Sequence, residues 1–207
     1  MLFRSPIHNS LTSKYVTQTS DNKIWIGTEG DGVYVYDMVY QTSKHYINLP
    51  EDPNSLGSNV VRDIIEDDNG EIWLATDGGG LNRYMPEEEK FERYQSDLEN
   101  PFSLSTNQLY RLYLDNSGIF WIGTFSGGIN IYNPNKNKFK VYKPRFDDPN
   151  SLSYQSVLAI FEDRDKNIWI GTDGGGINLF NPDKFGEKFI HYKNELNNSN
   201  SLVSNIV

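Results

Sequence analysis

The sequence predicts an all-β chain made of about four four-stranded antiparallel β-propeller blades. Three observations predict it. Trp25, Trp73, Trp121 and Trp169 recur at a constant spacing of 48 residues. Around each Trp, four short β-forming runs alternate with turns rich in Gly, Asn and Asp. No stretch sustains a 3.6-residue apolar pattern, which argues against helical repeats. Repeats of about 40–50 residues with four strands each are the mark of propeller blades.

The units run over about 9–55, 56–103, 104–151 and 152–201, and 202–207 opens a further blade. In the second unit the expected strands are 60–66 "VVRDIIE", 71–76 "EIWLAT", 80–85 "GLNRYM" and 90–95 "KFERYQ". The turns between them are "DDNG", "DGG" and "PEEE". Asn-Gly and Gly-Gly supply the positive φ angles of tight hairpins. A blade is covered on both faces by its neighbours, so "VVRDIIE" and "LYRLYL" need not alternate cleanly. Each unit adds Thr three residues after the Trp, Gly after seven and an aromatic residue after eleven: Thr76, Gly80 and Tyr84 in the second. The first unit is short by three residues ahead of Trp25, so its first blade is expected to be distorted.

The string "IWLATDGGGLNRY" (72–84) invites a phosphate-loop reading. It recurs as "IWIGTEGDGVYVY", "FWIGTFSGGINIY" and "IWIGTDGGGINLF", no helix follows it, and no Lys-Ser/Thr closes it. It is read as the turn between the second and third strands.

Composition narrows the function. A net charge of −9 and a pI near 4.8 disfavour a nucleic-acid partner. The sequence has no Cys, so disulfides, thiolate metal sites and a Cys nucleophile are out. No run of about 18 apolar residues occurs, and "MLFRSPIHNS" has no apolar core of a signal peptide.

The units open on a shared lead-in: "PNSLGSNVV" (53–61), "PFSLSTNQL" (101–109), "PNSLSYQSV" (149–157) and "SNSLVSNIV" (199–207). Together with the "IWIGT" and "GGI" segments, these resemble the two-component regulator propeller repeat family over essentially the whole chain. The resemblance implies the periplasmic sensor region of a membrane-bound histidine kinase, often a hybrid kinase, that detects glycan breakdown products. It also implies rings larger than four blades. The chain is therefore expected to be a piece of a larger propeller protein, or a remnant reading frame. Its open ends would then favour association with the rest of such a sensor or with a second copy. A protein–protein scaffold is the alternative reading, and a propeller lyase or glycosidase the third.

No catalytic set emerges. "DDNGEIW" (67–73) fits the Asp-box hairpin of sialidases, whose role is structural; units one and four lack its Gly. The seven Arg are scattered, and His8, His45 and His191 show no metal-ligand spacing. The four Trp, each followed by a small residue such as Gly27 or Ala75, are read as core rather than as sugar platforms. The chain is expected to be non-enzymatic and to need no cofactor or metal.

A ligand site on a repeating scaffold should break the repetition, and loops on a rigid scaffold usually carry function. The inter-blade connections, such as "QSDLENPFSLSTN" (95–107), are the longest loops and share a face with the "DGGG" turns. On that face Arg62 aligns with Tyr110, and Asp63 with Arg111; Asp77, Phe125 and Asp173 follow the repeat Thr, and Tyr154 replaces Ser58 and Thr106. The expected ligand-binding residues are Arg62, Tyr110, Arg111, Phe125, Asp77 and Asp173. The Arg residues would pair with acidic groups of an oligosaccharide, and the aromatic residues would stack on sugar faces.

Overall fold

The computed structural model describes residues 13–133 and 138–207. It contains four sheets, each of four antiparallel strands in sequential order. The first sheet holds β1 (Ser13–Gln18), β2 (Lys23–Thr28), β3 (Val33–Asp37) and β4 (Thr42–Tyr46). The second holds β5 (Val61–Glu66), β6 (Ile72–Thr76), β7 (Gly80–Met85) and β8 (Lys90–Tyr94). The third holds β9 (Leu109–Leu114), β10 (Phe120–Thr124), β11 (Ile129–Asn133) and β12 (Lys138–Tyr142). The fourth holds β13 (Val157–Glu162), β14 (Ile168–Thr172), β15 (Ile177–Phe180) and β16 (Phe189–Tyr192). These are the expected blades. Between β15 and β16 the fourth blade adds a single helical turn, α1 (Pro182–Phe185), capped by Asn181. The distortion expected of the first blade does not appear in its four strands; its lead-in and His8 lie outside the described residues.

The chain forms two compact units, residues 1–93 and 94–207. Within each unit two blades stack by the same device. Val61 and Ile64 of β5 press on Gly27 of β2, where a Cβ would lie 2.8 Å from a Val61 methyl. Val157 and Ile160 of β13 press on Gly123 of β10, again at 2.8 Å from a Val157 methyl. The small residue two positions after the Trp, Gly27 or Gly123, thus admits the next blade's valine. Trp25 is then covered edge-on by Tyr84 at 5.0 Å, and Trp121 by Phe180 at 5.5 Å. Trp25, Trp73 and Trp121 are buried. Trp169 is only half-buried; its ring lies on Tyr192 of its own sheet at 5.7 Å. The expectation of four buried Trp holds for three.

The turns explain the repeated residues. In three blades an aspartate six residues before the Trp closes the first hairpin and accepts the indole N–H. Asp67 does this for Trp73 at 3.1 Å, Asp115 for Trp121 at 2.8 Å and Asp163 for Trp169 at 2.7 Å. The left-handed position of this turn is Gly70 and Gly118, but Asn22 (φ 62) and Lys166 (φ 61) in the other blades. In the second hairpin the repeat Thr hydroxyl donates to the carbonyl of the repeat Gly, at 2.8 Å for Thr124 to Gly128. That Gly has positive φ in all four blades. At Gly128 there is also no room for a Cβ, which would collide with the Tyr142 carbonyl of β12.

The lead-ins are folded rather than loose. Ser55, Ser103, Ser151 and Ser201 each accept a backbone N–H six residues upstream at 2.8–2.9 Å and donate to a carbonyl three residues upstream. Buried Asn82, Asn130 and Asn178 on the third strands accept the N–H of Gly57, Ser105 and Ser153 at 2.8–2.9 Å. At the far end, Val207 donates to Thr172 at 3.1 Å and lies against Gly171, the place that Val61 and Val157 take on their neighbours.

Candidate functional site

The first strand of every blade carries a β-bulge near its start. Val61 faces Thr76 and Asp63 faces Ala75, so Arg62 is skipped. Leu109 faces Thr124 and Arg111 faces Gly123, so Tyr110 is skipped. Lys14 and Leu158 are skipped in the same way. A bulge bends the strand and re-aims the extra side chain. It also changes which residues point inward: the buried pair is Val61 with Ile64 and Leu109 with Leu112, not every second residue. First strands of neighbouring blades touch, β1 with β5 and β9 with β13. Each bulge lies beside the second hairpin turn, on the face that also carries the lead-ins.

In the first unit this places Arg62 between two carboxylates. Its guanidinium donates to Asp77 of its own blade at 2.8 Å and to Glu29 of the preceding blade at 3.0 Å. All three side chains are partly buried, at 17%, 26% and 34% exposure. The expectation that Arg62 offers its charge to an acidic ligand therefore meets two built-in competitors, and the cluster carries a net negative charge. Glu29, which aligns with Asp77, completes it.

In the second unit the equivalent positions are aromatic. Tyr110 and Phe125 stack with centroids 5.7 Å apart and planes 21° apart. Phe125 is 47% exposed. Arg111 is half-buried, and one of its N–H groups donates to the Tyr110 carbonyl at 3.1 Å. On the neighbouring blade Asp173 is exposed and its backbone N–H donates to Ser156. Tyr154, 41% exposed, lies beside Gly174, where a Cβ would sit 3.4 Å from its ring. The two blades are laced at this level, since Gly128 donates to the Gln155 carbonyl at 3.0 Å. The structure thus joins Arg62 to Asp77 in one unit, joins Tyr110 to Phe125 and Arg111 in the other, and sets Asp173 beside the turn that Tyr154 covers.

The bulge was missed in the sequence, although apolar residues three apart inside a β-run were its signal. The buried Asn on the third strands of three blades was also missed. Among the described residues no three His, Asp or Glu side chains gather in a way that could hold a metal ion. His45 and His191 instead hold backbone carbonyls, Asp31 and Ser151, each at 2.7 Å.

Four sheets of this kind, stacked in pairs through the same valine and tryptophan contacts, define β-propeller blades. The particular repeat follows from comparison. Residues 55–78, 103–126 and 151–174 match the model of the two component regulator propeller family. No curated protein matches the chain. The extracellular domain of the hybrid two component system BT3049 from B. thetaiotaomicron superposes with a TM-score of 0.70 at 26% identity, over 91% of this chain and 25% of that one. That of BT4673 from the same organism gives 0.73 at 24% identity, over 94% and 24%. Virginiamycin B lyase from Staphylococcus aureus shares the fold alone, with 0.63 at 17% identity over 89% and 56%. The chain spans about a quarter of the length of the two sensor domains. Among the described residues no helix is long and apolar enough to cross a membrane.

Proposed function

We propose that the chain is a ligand-sensing propeller segment of a two-component sensor, part of a larger ring and working in the periplasm. It binds a glycan-derived oligosaccharide without transforming it. The observation that carries this reading is the bulge in every first strand. The scaffold residues Trp, Thr, Gly and Asn repeat almost unchanged, while the extra residue at the bulge differs in every blade: Lys14, Arg62, Tyr110 and Leu158. A rigid frame that varies at one aimed position per blade suits recognition rather than chemistry. Among the described residues, Arg62 is held in ion pairs and Arg111 in a backbone contact, and neither faces a nucleophile.

The test is a thermal-shift screen of the purified chain against an oligosaccharide panel, with mass spectrometry of the recovered sugar. The reading expects a rise in melting temperature with the sugar unchanged. Conversion of the sugar would favour a lyase or glycosidase. Capture of a partner protein unaffected by any sugar would favour a scaffold.

A further inference from the structure

We infer that the loop face of the second unit is a stacking site selective for uncharged sugar rings, with acidic ones rejected by the carboxylates around the bulges. This rests on the sensing reading above and narrows its ligand. Two departures from the repeat converge in this unit. Where the other three blades place Glu29, Asp77 or Asp173 after the repeat Thr, the third places Phe125. Where the lead-ins carry Ser58 and Thr106, the fourth blade carries Tyr154. Both rings remain 40–50% exposed, and Phe125 is braced from below by the stacked Tyr110. An aromatic face that is held flat and open attracts the polarised C–H face of a sugar while its hydroxyls stay in water.

The charges point the same way. Asp173 is exposed on the same turn as Gly174, against which Tyr154 packs. Arg111 is half-buried, and one of its N–H groups is spent on the Tyr110 carbonyl rather than offered outward. In the first unit the Arg62 cation at the β5 bulge is already paired with Asp77 and Glu29. With a net charge of −9 overall, a uronate or sulfated sugar is repelled at the Asp173 turn and at the Arg62 cluster.

The experiment is calorimetric titration of the full chain with neutral hexaoses of xylose, glucose and mannose, and with oligogalacturonate and chondroitin disaccharides. The inference expects binding of at least one neutral hexaose. Phe125→Ala and Tyr154→Ala should each weaken it by about threefold to tenfold, the loss of one aromatic stacking contact. Both residues are exposed, so melting temperatures should stay unchanged and confirm folding. Asp173→Asn should improve binding of the acidic sugars relative to the neutral ones. Tighter binding of acidic sugars by the parent chain, or neutral binding that ignores both aromatic changes, overturns the selectivity but not the sensing. If no sugar of either class binds, the sensing reading fails first.

Discussion

Replacing Gly128 with alanine should cost about 2–3 kcal/mol more than the same change at Gly118, although both glycines sit at nearly the same backbone angle, φ 77 and 74. The left-handed conformation alone costs an L-residue about 1–2 kcal/mol, and alanine restricts the unfolded chain at either site by a similar amount. These terms cancel in the comparison. What remains is the neighbourhood. A Cβ at Gly118 meets nothing within 4 Å. At Gly128 it would lie 3.1 Å from the Tyr142 carbonyl carbon and 3.2 Å from Lys143 Cα, with the carbonyl oxygen closer still. Those atoms are backbone and cannot rotate away. Relief requires lifting the start of β11 from β12. That endangers the bonds of Gly128 to Thr124 and Gln155, at about 1 kcal/mol each. Urea unfolding with a shared m-value reads the difference. Equal losses at the two sites would refute the claim that this glycine is needed for close approach of the fourth strand.

Lys166→Gly should stabilise the chain by about 0.5–1 kcal/mol, because Lys166 holds a left-handed angle that Gly70 and Gly118 hold without strain; chemical denaturation reads it. Asn130→Ala should cost about 2–3 kcal/mol, because the buried amide accepts the Ser105 N–H at 2.9 Å and donates to its hydroxyl at 3.0 Å; Asn130→Asp should not rescue it. The Asp163 carboxyl is held down at about 2 by hydrogen bonds from Asn167 and Trp169. Its folded value is below the unfolded one, so its stabilisation is present above about pH 4 and is lost as pH falls toward 2. The Trp169 indole N–H resonance should follow that titration, and Asn167→Ala should move it to higher pH. Burial, then the hydrogen bond to Asp31, pushes the Tyr34 hydroxyl up to about 12. Its contribution is full below about pH 10 and disappears toward 12, which tyrosinate absorbance would follow; Asp31→Asn should lower the midpoint.

Much of the fold could be read from spacing because repetition averages away local ambiguity. The four strands around Trp73 were placed to within a residue, since turn residues bound each of them. What spacing could not show is where a strand departs from a two-residue period. "VVRDIIE" looked apolar on both faces, yet a bulge at Arg62 leaves only Val61 and Ile64 buried in β5. Position on the loop face was legible for Arg62, Tyr110 and Phe125 because each breaks the repeat. Their partners were not, because ion pairing depends on which neighbouring blade comes within reach. Glu29 reaches Arg62 from another blade, 33 residues away in sequence. The buried Asn at 82, 130 and 178 recurs in three blades, with Tyr34 in the first, but a polar residue on a strand does not announce its burial.

The most direct measurement is amide shift mapping by NMR as the chain is titrated with a neutral oligosaccharide that raises its melting temperature. The account predicts that shifts concentrate on the loop face: Tyr110, Phe125, Tyr154 and Asp173, with their neighbours in the 124–128 and 172–176 turns. Shifts centred instead on the opposite hairpins, around Asp67–Gly70 and Asp115–Gly118, would contradict it, as would uniform small shifts with no focus on either face.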